Sequence, residues 1–328
     1  MTGPRYLFYS IGSVVIEVAH MHYAALSDRL EAGEVVILDG GTGTELERRG
    51  VKMSADAWCG PATLDNLDTL KAIHGDYIAS GADIITANTY ASSRLMMEPA
   101  GFGDRVQEAN RAAVRVAIEA RDASGRDDVL IAGSLSHMCP QVPGMSAADE
   151  SRMPSDAAVA DALAELATIH REEGCDLILL EMVFRPRHVD LLITAARESG
   201  LPVWCGFACR RSDDGRVLAF EPNREVPFVD VVMQAGAHKL DAAGVMHTPS
   251  NLIGDAIDIL KDGYGGPLTA YPDSGYFKMP EWQFDDIIPP AELRSFADGW
   301  RQQGVQVFGG CCGLSPEHIR ALSALKDT

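Results

Sequence analysis

The sequence predicts an α/β protein folded as a single (β/α)8 (TIM) barrel, and three observations carry that expectation. Short apolar runs alternate with amphipathic helical stretches eight times between residue 35 and the C-terminus. The runs show little polar alternation, as expected of parallel strands covered by helices on the outside. The first turn, Gly40-Gly41-Thr42-Gly43-Thr44, lacks the G-x-G-x-x-G spacing with which an open doubly wound sheet holds a dinucleotide. A barrel of this kind takes about 250 residues. The 328-residue chain shows no composition break resembling a linker, so one domain is expected.

The first strand is the run VVILD at 35–39, and the first helix spans 65–80, where Leu67, Leu70, Ile73, Tyr77 and Ile78 fall at helical spacing. A strand at 83–87 precedes a helix at 104–122, and one at 129–135 precedes a helix at 156–173 closed by Gly174. The strand at 176–181 leads to a helix at 187–199 that stops at Gly200. The remaining strands are 202–207, 240–245, 267–271 and 305–308, each followed by a helix, at 224–235, 249–261, 290–303 and 315–326. The last helix opens with Ser315-Pro316-Glu317, a capping hydroxyl followed by proline at the first helical position. Two long loops rich in Pro, Gly and polar residues, 138–156 and 271–289, follow strands three and seven. Both therefore belong to the C-terminal mouth, as lids or binding loops.

The N-terminus stands apart from this rhythm. Residues 6–19 (YLFYSIGSVVIEVA) follow one early basic residue, contain Glu17 and lack a small-x-small cleavage site, which argues against a secretory signal. An extra strand or arm, or a start at Met21, is the expectation. Residues 1–24 are accordingly read as an extension of uncertain order, and 25–328 as the barrel. With 47 Asp and Glu against 28 Lys and Arg, the net charge is −19. That balance disfavours nucleic-acid and anionic-membrane partners, which need clustered Lys and Arg. No apolar stretch reaches the roughly 18 residues of a membrane span. Seven cysteines, an odd number in a chain too long to need disulfide staples, suit a reduced, cytoplasmic setting. Small-molecule partners are expected, and a homo-oligomer is compatible with the sequence.

The chemistry of such a barrel lies at the C-terminal ends of its strands. Those ends carry Asp39, Thr86, Asn88, Ser134, Ser136, Glu181, Phe207, His247, Tyr271, Asp273, Cys311 and Cys312. Adjacent side chains on a strand point to opposite faces, so Cys311 and Cys312 converge only if the backbone leaves the strand, a freedom that Gly309, Gly310 and Gly313 supply. Two thiolates at a barrel mouth are soft ligands suited to Zn²⁺, and a catalytic zinc needs one more protein ligand. His247 is the chosen third ligand, with His137 and Cys139 as competitors. Asp39, against the glycines of the first turn, suits an ammonium group while closely spaced backbone N–H groups there face a carboxylate. Glu181 follows four apolar residues and needs a positive partner, either a ligand ammonium or Arg185 or Arg187.

The elements Asp39-Gly40-Gly41-Thr42-Gly43-Thr44-Glu45-Leu46, GADIITANTYASS at 81–93, DLILLEM at 176–182, and Gly309-Gly310-Cys311-Cys312-Gly313 with Ser315-Pro316-Glu317-His318-Ile319 resemble the zinc-dependent homocysteine S-methyltransferases. The resemblance runs in order from about residue 35 to 325. It implies a barrel whose zinc is held by three cysteines and takes the homocysteine sulfur as a further ligand, with Cys311 and Cys312 as two of the three. By motif, Asp39, Gly40 and Glu181 would hold the amino-acid end of homocysteine, with Gly41, Asn88 and Ser134 as further substrate contacts. Tyr90 would lie near the zinc and the substrate sulfur, making Glu181, Tyr90 and Asp39 the candidate catalytic group.

Three mouth motifs depart from the family pattern. Gly244-Val245-Met246-His247 stands where the family has Gly-x-Asn-Cys, so His247 occupies the third cysteine's place. Gly133-Ser134-Leu135-Ser136-His137-Met138-Cys139-Pro140 replaces Gly-Ser-x-Gly-Pro, and Pro272-Asp273-Ser274-Gly275-Tyr276 replaces Pro-Asn-Ser-Gly-Glu. A histidine in place of a thiolate removes one negative charge from the centre, which acidifies an incoming thiol more but leaves its sulfur less nucleophilic. The expected reaction moves a methyl group from a sulfonium or quaternary-ammonium donor, such as S-methylmethionine, S-adenosylmethionine or betaine, to the homocysteine thiol, giving methionine. Aromatic residues would receive the onium cation by cation–π contact, from among Tyr90, Phe207, Tyr271, Tyr276 and Trp282, with Phe207 read as core. No folate or cobalamin domain fits within the chain. A different acceptor or donor, or a catalytically silent zinc-bearing barrel with a regulatory role, are the alternatives.

Overall fold

The computed structural model describes residues 11–327, with side chains from residue 21 onward. Eight parallel strands form one sheet: β1 Val36–Ile37, β2 Ile84–Ala87, β3 Leu130–Ser136, β4 Leu177–Val183, β5 Val203–Phe207, β6 Ala242–Pro249, β7 Leu268–Asp273 and β8 Val305–Phe308. Their order is β1-β8-β7-β6-β5-β4-β3-β2. A parallel bridge between Leu38 and Ile84, with Asp83 N–H donating to the Ile37 carbonyl at 2.7 Å, joins the two ends. The sheet is a TIM barrel. Its strands are buried along almost their whole length, which is why the sequence shows apolar runs rather than alternation.

One principal helix follows each strand: α1 Leu67–Ala79, α2 Val106–Ser124, α3 Asp156–Glu173, α4 Pro186–Glu198, α5 Phe228–Gly236, α6 Ser250–Gly263, α7 Pro290–Gln302 and α8 Pro316–Ser323. The expected cap at Ser315 forms, as a reciprocal box with His318 at the start of α8, and Ser155, not singled out in the sequence, accepts from the Ala158 N–H at the start of α3. Several expected boundaries move, two of them by four residues. Helix α5 starts at Phe228 rather than 224, behind Pro227, and β6 continues past residue 245 to Pro249, where it pairs with Asp273 of β7 across a register shift.

The N-terminal segment differs from the expected strand or arm. Ile11–Glu31 is a helix that crosses the expected boundary at residue 24, while residues 6–10 lie outside the described residues. It packs beneath the N-terminal end of the barrel. Leu26 and Leu30 are buried there, His22 Nδ1 lies 3.0 Å from Asp176, and the Tyr23 hydroxyl accepts from Trp204 Nε1 at 2.9 Å. At this base, three aspartates standing before even-numbered strands repeat one device. Asp83, Asp176 and Asp241 accept from the N–H groups of Ile37, Ile131 and Val203, at 2.8, 2.7 and 2.8 Å, and so tie each pair of neighbouring strands together.

At the opposite end, β5 leads into an antiparallel hairpin, Cys209–Arg211 with Val217–Ala219, and β7 into another, Tyr276–Lys278 with Glu281–Gln283. Their strands are three residues long, too short for periodicity to reveal. Among the described residues, no helix is long and apolar enough to cross a membrane, and all seven cysteines are free.

Candidate active site

Beyond Phe308 the chain leaves β8 and is tied into neighbouring loops by its backbone. Gly310 N–H donates to the Asp39 carbonyl, Cys311 N–H to Pro272, and Ser274 N–H to Cys312, at 2.9, 2.8 and 3.0 Å. Gly313 supplies the left-handed turn (φ 79°), and a Cβ there would lie 1.9 Å from the Ser274 carbonyl oxygen. The turn brings both sulfurs to one side, 3.9 Å apart. Gly41 faces this loop so closely that a Cβ would lie 2.6 Å from the Cys311 oxygen. Its N–H is spent on the Leu314 carbonyl at 3.3 Å, so Gly41 serves the packing of the cysteine loop rather than offering a free donor. Gly40 is equally confined, against Tyr77 and Leu314.

His247 reaches the same point because β6 is irregular at its end. The register shifts after Met246, and His247 adopts a left-handed backbone (φ 42°), a costly conformation that re-aims a side chain. Its Nδ1 lies 3.5 Å from Cys311 Sγ, and its Nε2 lies 3.6 Å from Asp273 Oδ2. The ligand atoms of His247, Cys311 and Cys312 all fall within 4.8 Å of one another, the one such group of three among the described residues. Ligand atoms around a tetrahedral zinc are roughly 3.4–3.8 Å apart, given bonds of about 2.0–2.3 Å. The soft S₂N donor set suits zinc, and the 3.5 Å and 3.9 Å separations lie close to that spacing. Asp273 faces the imidazole nitrogen that such an ion would leave free, as partners of metal-bound histidines do. Burial opposes a charge on His247, but Asp273 and Cys311 outweigh it and raise its pKa to about 9. Metal must therefore displace protons here.

The competing ligands lie elsewhere. His137 packs edge-on against Phe184 and His188, and Cys139 accepts from Arg185 Nη1 at 3.4 Å.

Asp39 and Glu181 occupy the same cavity wall as the cysteines. Asp39 accepts from the Thr86 N–H and hydroxyl at 2.7 and 2.9 Å, and Glu181 accepts from the Ser134 hydroxyl. Among the described residues no Lys, Arg or His nitrogen lies within 4 Å of either carboxylate, and Arg185 and Arg187 pair with Glu221 and Asp156 instead. Burial pushes the pKa of each up to about 7, against the Thr86 hydrogen bonds for Asp39 and the Ser134 hydroxyl for Glu181. Two buried carboxylates with no cationic nitrogen within 4 Å, Glu181 feeling only the more distant His247, are suited to receiving a cation. Asn88 lines the cavity, but its amide nitrogen is engaged by the Cys59 carbonyl and the Thr63 hydroxyl, at 3.2 and 3.1 Å, so it holds the loop after β1.

Tyr90 also lines the cavity, half-buried and edge-on to Trp58 at 6.1 Å between ring centres. An arc of rings continues from it, Trp58 to Phe277 at 5.3 Å, Phe277 to Trp282 at 6.3 Å, and Trp282 to His247 at 5.6 Å. Of the five aromatic candidates, Tyr90, Tyr271 and Trp282 face the cavity. Phe207 packs in the core against Phe228, and Tyr276 is exposed, bonded to Asp285. The sequence reading missed Trp58, Phe277 and Phe220. It also missed Glu47, which accepts from the Trp58 indole Nε1 at 2.6 Å and from the Trp282 backbone N–H at 2.8 Å and so ties the Trp58 ring to the Trp282 backbone. Trp58 and Glu47 stand away from any strand end, so the strand-end rule could not find them.

Residues 36–325 match the homocysteine S-methyltransferase family. A selenocysteine methyltransferase of Astragalus bisulcatus is 28% identical, over 89% of this chain and 92% of that protein. Homocysteine S-methyltransferase YbgG of Bacillus subtilis is 27% identical, over 90% of this chain and 95% of that one. Among solved structures, the metallated form of the homocysteine methyltransferase MmuM from Escherichia coli superposes with a TM-score of 0.69 at 22% identity. That match covers 93% of this chain and 99% of the other, and it supports the barrel independently. With its family match extending from the first strand almost to the last residue, the chain belongs to the homocysteine S-methyltransferase family and is a methyltransferase of that type.

Proposed function

We propose that this chain moves a methyl group from a sulfonium or quaternary-ammonium donor to the thiol of homocysteine, giving methionine, at a zinc ion held by His247, Cys311 and Cys312. One observation carries the reading: three converging metal-type donors share a cavity with two buried carboxylates that no Lys, Arg or His nitrogen of the described residues approaches within 4 Å. When bound, zinc supplies a Lewis acid that lowers the pKa of a coordinated thiol, so that the reactive thiolate exists at neutral pH.

The chain's own residues do the remaining work. Asp39 and Glu181 receive the amino-acid ammonium, whose charge restores their ionised forms. Thr86 and Ser134 fix those carboxylates in place, and Asp273 faces the outer nitrogen of His247 at 3.6 Å. Tyr90, Trp58, Phe277 and Trp282 exclude water and present ring faces to an onium cation, as cation–π recognition requires. The selenocysteine methyltransferase among the relatives makes selenols the first alternative acceptors to try.

Zinc content of purified protein, with methionine formation from homocysteine and a panel of onium donors, tests the proposal. Stoichiometric zinc is expected, falling to near zero in Cys311→Ala. Zinc that survives that change would overturn the ligand assignment. Bound zinc with no turnover from any donor would favour a silent, regulatory barrel.

A further inference from the structure

A buried polar chain runs from helix α3 to Glu181. Strand β2 ends at Ala87, whose partner on β3 is Gly133, so the Ser134 carbonyl stands one residue beyond the last paired position. The Thr89 hydroxyl takes the place of the missing strand and donates to that carbonyl at 2.9 Å. From behind, His170 of α3 brings its Nε2 to 3.1 Å from the same hydroxyl oxygen. Ser134 in turn donates its own hydroxyl to Glu181, which lines the cavity. His170, Thr89 and Ser134 are all fully buried.

Counting protons sets the direction of this chain. Thr89 has one hydroxyl proton, and giving it to Ser134 leaves its oxygen to accept. His170 Nε2 then carries the proton that Thr89 receives. Burial pushes the His170 pKa down to about 3, so the imidazole is neutral, and its Nδ1 finds no partner among the described residues. Room for the ring comes from Gly133, where a Cβ would lie 2.5 Å from His170 Cγ and Nδ1. An aliphatic side chain would fill this space without leaving a ring nitrogen unmet. What it could not supply is the N–H on Thr89. That N–H matters because the Thr89 hydroxyl has a second acceptor in reach, the Ala87 carbonyl at 3.4 Å. A donor behind the oxygen polarises it and keeps its proton on Ser134.

We propose that His170 is a positioning residue of the ammonium receptor, acting through Thr89 and Ser134 to hold Glu181 where it meets the amino group of the thiol acceptor. This rests on the methyl-transfer reading above. Without the His170 N–H, Thr89 divides its proton between two carbonyls, and the end of β3 that carries the Ser134 hydroxyl loosens. The ligand must then do the ordering that the chain otherwise does in advance, and it binds more weakly.

Homocysteine and 4-mercaptobutanoate differ only in the amino group, so the ratio of their kcat/KM values in the zinc-loaded enzyme reads the ammonium receptor alone. Wild type should favour homocysteine. Thr89→Val, which keeps the side-chain shape, should lower the ratio by roughly 3- to 10-fold, the range for one neutral hydrogen bond. His170→Asn, whose amide nitrogen falls near the place of Nδ1, should lower it as much. His170→Gln, whose amide nitrogen falls near the place of Nε2, should keep most of it. The losses should fall on the homocysteine KM and leave kcat and the donor KM as they were. Once Thr89 is replaced by Val, His170→Asn should lower the ratio no further. Equal ratios in His170→Gln and His170→Asn, an equal loss for both acceptors, or additive losses in the double variant would overturn the proposal and leave His170 as a core residue. If wild type methylates neither thiol, the methyl-transfer reading fails and calorimetric binding decides the positioning role alone. Tighter binding of homocysteine than of 4-mercaptobutanoate, reduced by Thr89→Val and His170→Asn but not by His170→Gln, would sustain it; the absence of that pattern would sink it.

Discussion

The two ends of this barrel are both lined with buried carboxylates, yet they are treated in opposite ways. At the base, Asp83 accepts from the Ile37 N–H and is faced by Lys326 at 2.7 Å and by Arg29 and Arg126 at 3.6 Å; Asp176 has the Ile131 N–H and His22. At the mouth, Asp39 and Glu181 accept hydrogen bonds from Thr86 and Ser134 but have no cationic nitrogen within 4 Å among the described residues, where the Tyr271 hydroxyl and both His137 nitrogens also find no hydrogen-bond partner. A folded protein satisfies most of its buried polar groups, and at the mouth those left short include groups that line one cavity with the metal-type donors. The base is finished by the chain itself. Under the proposed function, the mouth is left for a ligand to finish.

The largest effect expected from this contrast is at the base. Asp83→Ala leaves the Ile37 N–H unmet and three cations without their shared partner, which should cost about 3–5 kcal/mol. The thermal midpoint should fall by roughly 10 °C, with the homocysteine KM of the surviving folded protein unchanged. A small shift in calorimetry would show that the base does not carry stability in this way.

Glu181→Gln should act in the opposite direction. The folded carboxyl has its pKa raised to about 7 from 4.5, chiefly by burial. A raised acid favours the folded state at low pH. Ligand-free wild type therefore keeps its full stability below about pH 4.5 and loses it as the pH climbs towards 7. Glutamine removes that penalty, so the variant should be more stable than wild type by about 2–3 kcal/mol at pH 8 and no more stable at pH 4.5. Its kcat/KM for homocysteine should nonetheless fall by about 100-fold, because the ammonium has lost a carboxylate. Denaturant titrations at the two pH values check the sign, and a destabilised variant at pH 8 would break the comparison.

At the metal-type group the contrast is sharpened by pairing two substitutions. Asp273→Asn should weaken zinc binding by about 10-fold, the lower end of what loss of a metal histidine's partner costs. His247→Cys should retain zinc and raise thiolate reactivity. In that background Asp273→Asn should no longer matter, because the imidazole it faces is gone. Competition against a chelator measures all four proteins. Loss of zinc from His247→Cys, or an undiminished effect of Asp273→Asn in that background, would remove His247 from the ligand set.

How much of this was legible in the sequence follows from the length scale of each signal. The eight strand–helix units could be read because each is long enough to show a period, and the glycines around Cys311 and Cys312 announced a backbone that leaves its strand. Asp39, Glu181 and His247 were found because strand ends converge at the mouth of a barrel. What stayed hidden depends on contacts between distant segments. Nothing near Glu47 in sequence reveals that it ties the Trp58 ring to the Trp282 backbone, and nothing near Arg185 reveals that Glu221 stands behind it. Gly41 was read for its N–H and proved to matter for its missing Cβ, a distinction that needs the Cys311 loop in place. The N-terminal helix was missed because its interior face is set by the barrel beneath it and not by its own periodicity.

That helix provides the smallest test. The Tyr23 hydroxyl accepts from Trp204 Nε1 at 2.9 Å, and Trp204 is fully buried in β5, so this bond satisfies an indole that water cannot reach. Tyr23→Phe keeps the ring and removes the acceptor, which should cost about 1 kcal/mol, within the usual range for a lost hydrogen bond. A chain of this size should then melt roughly 2–4 °C lower. The change lies at the far end of the barrel from Cys311 and should leave zinc content and turnover as they were. If turnover falls while the melting temperature holds, the two ends are coupled, and the division between a self-completed base and a ligand-completed mouth fails at the one place where the helix joins the barrel.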